Sequence, residues 1–216
     1  MTCQQRFPRQ LDFHIGLDAD AFERFPAFRD VIRDGVLKGL YRFKASGKTD
    51  AKLHAQLLGS GTIMFEVLKA QQILEEKYGV AADVWSITSY KNLYYDGLEA
   101  ERWNLLHPGE KPRVPYVSQC LADAPGVLVA ASDYLKVLPN SISKWMPRRL
   151  MSLGTDGFGR SEGRSSLRDF FEVDARFIVL STLYELLREG KIEASVIKKA
   201  IKDLQINVDK PNPVTV

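Results

Sequence analysis

The run "GVLVAAS" (126–132) is nearly all apolar over the length of a strand, and it constrains the chain more than any other stretch. A strand without polar alternation is covered on both faces, so it reads as a central strand of a sheet that carries helices on each side. The rest of the chain agrees. "KLHAQLL" (52–58), "ADVWSIT" (82–88) and "RLMSLG" (149–154) are further β-rich runs with helical stretches between them. Thr62 is placed to cap a helix whose apolar face is Ile63, Val67, Ala70, Leu74 and Tyr78, spaced by threes and fours and closed by Gly79. Asp174 is placed to cap another, with Ile178, Val179, Thr182, Leu183, Leu186 and Leu187 inward and Gly190 at its end. A last helix carries Val196, Ile197, Ala200, Ile201 and Leu204 on one face, before "DKPNPV". Strands alternating with helices predict an α/β fold with a mainly parallel sheet. Residues 1–32, rich in aromatics and prolines but without a period, read as an irregular arm.

Charge and cysteine narrow the class. Thirty basic residues against 27 acidic give a formal +3, and the excess is not gathered into a run. Nucleic acid or an anionic membrane surface would call for a concentrated basic patch, so neither is expected as a partner. Cys3 and Cys120 stand far apart without metal-ligand spacing, which indicates neither a disulfide framework nor a zinc site and makes a reducing cytoplasm the default. No apolar run approaches the roughly 20 residues of a membrane span. The opening "MTCQQRFPRQ" lacks the apolar core of a secretory signal, although arginine without acid admits a transit peptide.

In an open α/β sheet, the turns leaving the carboxyl ends of the strands share one edge, where ligand sites collect. "LGSGT" (58–62), "TSYKN" (88–92), "ASDY" (131–134) and "GTDGFG" (154–159) leave strands this way and define a rim with Ser60, Lys91, Asp133, Asp156 and Arg160. "GSGT" before a helix is either a plain turn or an anion site; the plain turn is the commoner use of such glycines, and no Walker lysine follows. Of the histidines, His14 falls in the arm and His54 in a strand. His107 lies in "EAERWNLLHPGEKPRVPYV" (99–117), where Glu99, Glu101, Arg102, Glu110, Lys111 and Arg113 crowd around Trp103. That segment reads as an ion-paired surface or subunit contact, with a general acid or base at His107 as the alternative. No nucleophile and base can be paired from spacing, so the residues alone give a polar rim and no reaction.

Taken together, "AQLLGSGTI", "DVWSITSYKNLYYDGLEAERWNLLHPGEKPRVPYV", "LGTDGFGRSEGRSSLRDFFEVDARFIV" and "DKPNPV" resemble the C-terminal part of one family. It is the decarboxylating first component of the pyruvate dehydrogenase complex, of the single-chain homodimeric type. The likeness covers about residues 33–213, with "RDGVLKGLYRFKAS" (33–46) similar to the linker that enters the domain. It implies a linker over 33–50 and a transketolase C-terminal-like domain over 51–216, a three-layer α/β/α sandwich with a mostly parallel mixed sheet. The family's first strand is antiparallel; here that is "KLHAQLL" or an edge strand nearby. In the family, two preceding domains bind thiamin diphosphate and magnesium and carry the catalytic groups, and this chain is expected to begin after them. The cofactor motif Gly-Asp-Gly is missing, since Thr155 precedes Asp156, and no Asn-Asn occurs. No catalytic, cofactor-binding or metal residue is therefore expected, and the isolated chain is expected to be inactive.

The likeness of Phe-Gly-x-Ser to transketolase third domains implies that Asp156, Gly157, Phe158, Gly159, Arg160 and Ser161 form a rim loop facing neighbouring domains. Glu101, Arg102, Trp103 and His107 are implied as a second contact segment. The family oxidatively decarboxylates pyruvate and transfers the acetyl group to lipoyl. The implied partners are the remaining domains of the same enzyme, a second copy in a homodimer, and the dihydrolipoyl acyltransferase component, in the cytoplasm. The alternative is a stand-alone dimerisation or docking module without catalysis. Its support is the aromatic arm and the neighbourhoods of Trp85, Trp103 and Trp145, which read either as exposed or as core.

Overall fold

The computed structural model describes residues 26–216, so the expected arm over residues 1–25 lies outside the described residues. Helix α1 (Pro26–Lys38) leads into strand β1 (Leu40–Lys44), β2 (Leu53–Gly59), α2 (Met64–Lys77), β3 (Val80–Ile87), α3 (Tyr90–Leu106), α4 (Tyr116–Leu121) and β4 (Val127–Ala131). The short α5 (Val137–Asn140) precedes β5 (Leu150–Leu153), and α6 (Arg164–Phe170), α7 (Ala175–Arg188) and α8 (Ala194–Asp203) follow. The five strands form one sheet in the order β1-β3-β2-β4-β5. β3, β2, β4 and β5 run parallel, while β1 pairs antiparallel with β3.

The antiparallel strand is thus not "KLHAQLL", which is the central parallel β2, but "LYRFK" inside the segment read as linker. A five-residue strand with Arg42 and Lys44 lies at the sheet's edge, where one side of the ladder needs no partner and charge is tolerated. Residues 26–32 are likewise part of α1. The expected capping by Thr62 is also replaced. A 3-10 turn (Gly61–Ile63) precedes α2, Ile63 takes the capping position without a side-chain bond, and the Thr62 hydroxyl donates to Asp133 Oδ2 at 3.1 Å.

Strand alternation builds two cores from one sheet. Leu57, Val84, Val127 and Val129 face α2, α7 and α8. Leu58, Trp85, Leu128 and Ala130 face α3 and α4. All of β4 is buried, as an unbroken apolar run requires. Trp85 and Trp145 are core residues, 1% and 7% exposed. The Trp85 indole N–H donates to Gln56 Oε1 at 2.7 Å, and Gln56 Nε2 reaches the Pro125 carbonyl, so the buried amide and indole satisfy each other. Asp174 caps α7 by accepting from the Arg176 and Phe177 amides.

The end of α1 is pinned to the carboxyl edge of the sheet. Thr88 Oγ1 donates to the Val36 carbonyl at 2.8 Å and Asn92 Nδ2 to that of Leu37 at 3.0 Å. The Gly39 carbonyl accepts from the amides of Thr88 and Ser89, and the Tyr116 hydroxyl donates to the Leu40 carbonyl. Because β1 runs antiparallel, the chain enters the domain at the edge where the parallel strands end.

Gly126 turns the chain into β4 at φ +85°, and a Cβ there would overlap the His54 carbonyl. Backbone cannot swing aside as a side chain tip can, so Gly126→Ala should lower stability by about 3 kcal/mol, read as a fall in urea midpoint.

Candidate functional site

The rim is a bonded unit. Gly59 ends β2, and Ser60, Gly61 and Thr62 turn into α2; Ser132 to Leu135 leave β4; Gly154 to Ser161 leave β5. Asp133 joins all three loops, since its carboxylate accepts from Thr62 Oγ1 and its carbonyl from Thr155 Oγ1 at 3.0 Å. The Thr155 amide donates to the Tyr134 carbonyl at 2.8 Å. Asp156 Oδ1 accepts from the Lys136 amide at 2.8 Å, with the Lys136 ammonium 3.9 Å from Oδ2. Gly154 is obligatory here, because a Cβ would lie 2.5 Å from the Tyr134 carbonyl. Gly157, at φ +101°, lets the loop close on the Pro213 carbonyl near the end of the chain.

Beyond Gly157 the loop opens to solvent. Phe158 is 79% exposed, Gly159 and Ser161 are exposed, and the Arg160 guanidinium stacks 5.2 Å from the Phe170 ring. Lys91, expected in the same rim, is the second residue of α3 at that helix's rim end, with its ammonium 5.7 Å from the Tyr95 ring. Behind the loops, between the diverging connections of β2 and β4, lie the buried hydroxyls of Ser60, Tyr90 and Ser132. The Tyr90 hydroxyl stands near that of Ser60 without hydrogen-bond geometry. Burial raises the ionisation of Tyr90 well above that of an ordinary phenol; Tyr134 adds to this and Ser60 partly opposes it. It stays protonated at neutral pH and supplies no base.

The second expected contact group divides. The Glu101 carboxylate accepts from the Trp145 indole at 2.9 Å and from Lys144 at 2.7 Å, which pins the 3-10 turn before β5 onto α3. Gly97 makes room for that indole, since a Cβ would lie 2.5 Å from its ring atoms. Trp103, by contrast, stacks with His107 at 4.5 Å and carries Arg113 at 4.4 Å. His107 Nδ1 lies 2.8 Å from the Trp103 carbonyl, and Asn104 exchanges two bonds with the Arg113 backbone. Arg102 is exposed. α3 begins at the rim and spans 17 residues, about 25 Å, so Trp103 and His107 lie at the opposite edge of the sheet. The structure does not bring the two groups together. His54, at the start of β2, is also remote from the rim, and His14 lies outside the described residues.

Sequence reasoning overlooked Glu66, which is 6% exposed. It accepts from Arg168 at 2.9 Å, from Lys69 at 3.2 Å and from the Ala175 amide at 3.1 Å. The signal was available: Glu66 falls on the apolar stripe of α2, next to Val67. The rim carboxylates do not fit a magnesium diphosphate, because Asp133 and Asp156 are already engaged by Thr62 and Lys136. Among the described residues no three His, Cys, Asp or Glu side chains gather to hold a metal ion.

What the fold and rim define is a five-stranded α/β domain whose polar edge is structured by hydrogen bonds between its loops. The chain matches the family described as transketolase-like TK C-terminal domain over residues 39–174, and it belongs to that family. It is 45% identical over 190 residues to the pyruvate dehydrogenase E1 component of Pseudomonas aeruginosa, covering 88% of this chain and 21% of that protein. The protein of the same name from Haemophilus influenzae is 47% identical, with the same coverage of each chain. The chain therefore spans about a fifth of the length of the curated relatives it matches. A transketolase from Leishmania mexicana superposes with a TM-score of 0.49 at 17% identity, covering 72% of this chain and 19% of that one.

Two consequences are measurable. Gly157→Ala, which meets both the positive φ and the Pro213 carbonyl, should cost about 1–3 kcal/mol and speed amide exchange at Val214 and Thr215. The hydrogen bond from Lys144 holds the Glu101 carboxyl below the ordinary glutamate value. Its contribution is present above that ordinary value and lost as pH falls through the depressed one. Lys144→Met should raise the Glu101 midpoint in a carboxyl NMR titration.

Proposed function

We propose that this chain is the third domain of a pyruvate dehydrogenase E1 component and that its part in the enzyme is structural. The supporting observation is a likeness over 88% of the chain that reaches only 21% of the relative. The whole enzyme, on this reading, decarboxylates pyruvate oxidatively and passes the acetyl group to a lipoyl group on the acyltransferase component. Thiamin diphosphate supplies the carbanion chemistry there, bound with magnesium by the other domains, in a cytoplasmic homodimer. The engaged rim carboxylates agree with a domain that holds no cofactor itself.

The rim then serves as the face toward the rest of the enzyme. Two features favour that placement. α1 ends at the rim and leaves Val36 and Leu37 exposed there. The loop Asp156–Ser161 is fixed at its base by Lys136 and Pro213 while it presents Phe158 outward, an arrangement suited to an anchor in a neighbouring pocket. Trp103, His107 and Arg113, stiffened by stacking, form a separate contact at the far edge.

The test is reconstitution. The chain alone should neither turn over pyruvate nor bind thiamin diphosphate in a titration. Added to a protein carrying the first two domains, it should restore thiamin-dependent decarboxylation, and Phe158→Ala should lower the restored rate about tenfold with an unchanged melting temperature. Inhibition of intact enzyme without restoration would replace this reading with that of a stand-alone docking module.

A further inference from the structure

Three hydroxyls meet beneath the rim. Ser60, Ser132 and Tyr90 are 2%, 0% and 6% exposed, and among the described residues none of their side-chain oxygens has a hydrogen-bond partner. Strand geometry brings them together. Gly59 pairs with Ala131, so Ser60 and Ser132 are the next residues along adjacent parallel strands, and Ser60 continues β2 in extended backbone at φ −137° and ψ 151°. Leu58 and Ala130 face α3, and a side-chain period of two turns Ser60 and Ser132 to that same face. Tyr90 opens α3 there, with its hydroxyl near that of Ser60 but out of hydrogen-bond geometry.

Native folds leave few buried polar groups unpaired, and the charges around the trio select what pairs with it. α2, through its 3-10 turn, and α3 both begin at this edge, and the positive ends of their dipoles oppose a cation. The Asp133 carboxylate lies against Gly61, one residue along from both serines, and opposes an anion, whose dehydration adds a further cost. A small neutral molecule meets neither objection. Each hydroxyl both donates and accepts, so the partner must do the same. Water does, and a buried water makes about three hydrogen bonds to groups of this kind.

We propose that Ser60, Tyr90 and Ser132 bind one internal water molecule, which ties the first turn of α3 to the ends of β2 and β4 under the rim loops. Neighbouring hydroxyls that miss each other are the usual sign of a shared water between them. The water then acts as a structural ligand. It joins the connections that leave β2, β3 and β4 at one point, inside the loops that Asp133 links on the outer side.

The test is a substitution cycle on the 216-residue chain, with Tyr90→Phe, Ser132→Ala and the two together, each checked for a native circular dichroism spectrum. Where one water serves both hydroxyls, either single change leaves it short of a partner and should lower the melting temperature by about 3 °C. The double variant should then fall no further than the larger single effect. Unchanged or raised melting temperatures, or losses that add, would overturn the proposal. A high-resolution crystal structure of the unaltered chain needs no variant to fold and should show a solvent peak within hydrogen-bond distance of all three oxygens. No peak there overturns the proposal, and so does a peak that bromide replaces on soaking, which would make the occupant an anion.

Discussion

The Glu66 carboxylate is the tie on which the arrangement of this domain's edge depends. One oxygen accepts from the Ala175 amide at the start of α7, where the helix dipole favours a negative charge. The other accepts from Arg168 on α6 and from Lys69 one turn along α2. Arg168 in turn reaches the Thr62 carbonyl and hydroxyl. Two helices that follow β5 are thereby fastened to the turn that follows β2, across the strand between them. A buried pair of this kind contributes little net stability against an apolar replacement, but losing one partner strands the other at a cost of about 3–5 kcal/mol. Its effect is therefore on geometry: it fixes where α6 begins, and with it the far end of the loop carrying Phe158.

That loop is held at three points and free at one. Asp156 is bound by Lys136, Gly157 closes on Pro213, and Arg168 anchors the helix that follows. Only the stretch from Phe158 to Gly163 projects. Along the rim Asp133 and Asp156 accept hydrogen bonds that shape the loops, and Tyr90 is held protonated by burial. A domain whose polar edge is consumed in shaping itself is suited to presenting a surface to neighbours.

Much of this architecture was legible in the residues, for identifiable reasons. "GVLVAAS" announced a strand covered on both faces, and Asp174 and Gly190 marked both ends of α7, because caps and apolar runs are local signals. Edge strand β1 was not legible as such. It is five residues long, half exposed and interrupted by charge, and only its pairing with β3 makes it a strand. Thr62 matched a capping pattern and yet spends its hydroxyl on Asp133, a residue that the sequence places far away. Glu66 was hidden by the rule that acids face water, which fails where Arg168 and a helix N-terminus meet the carboxylate. The rim loops were placed as a group by strand order, Lys91 among them at the rim end of α3, while the separate segment Glu101–His107 falls on the later turns of the same helix, which carry it to the opposite edge.

The two sheet edges complete the logic. The chain passes from α1 into β1 at the rim, and that edge strand's charges and slipped register keep a foreign strand off it. β5 is followed by the rim loop and then by α7 and α8, which wall off a trough without closing it. β5 is guarded differently: it is only four residues long and none of them is exposed, with α7, α8 and residues 206–210 standing beside it.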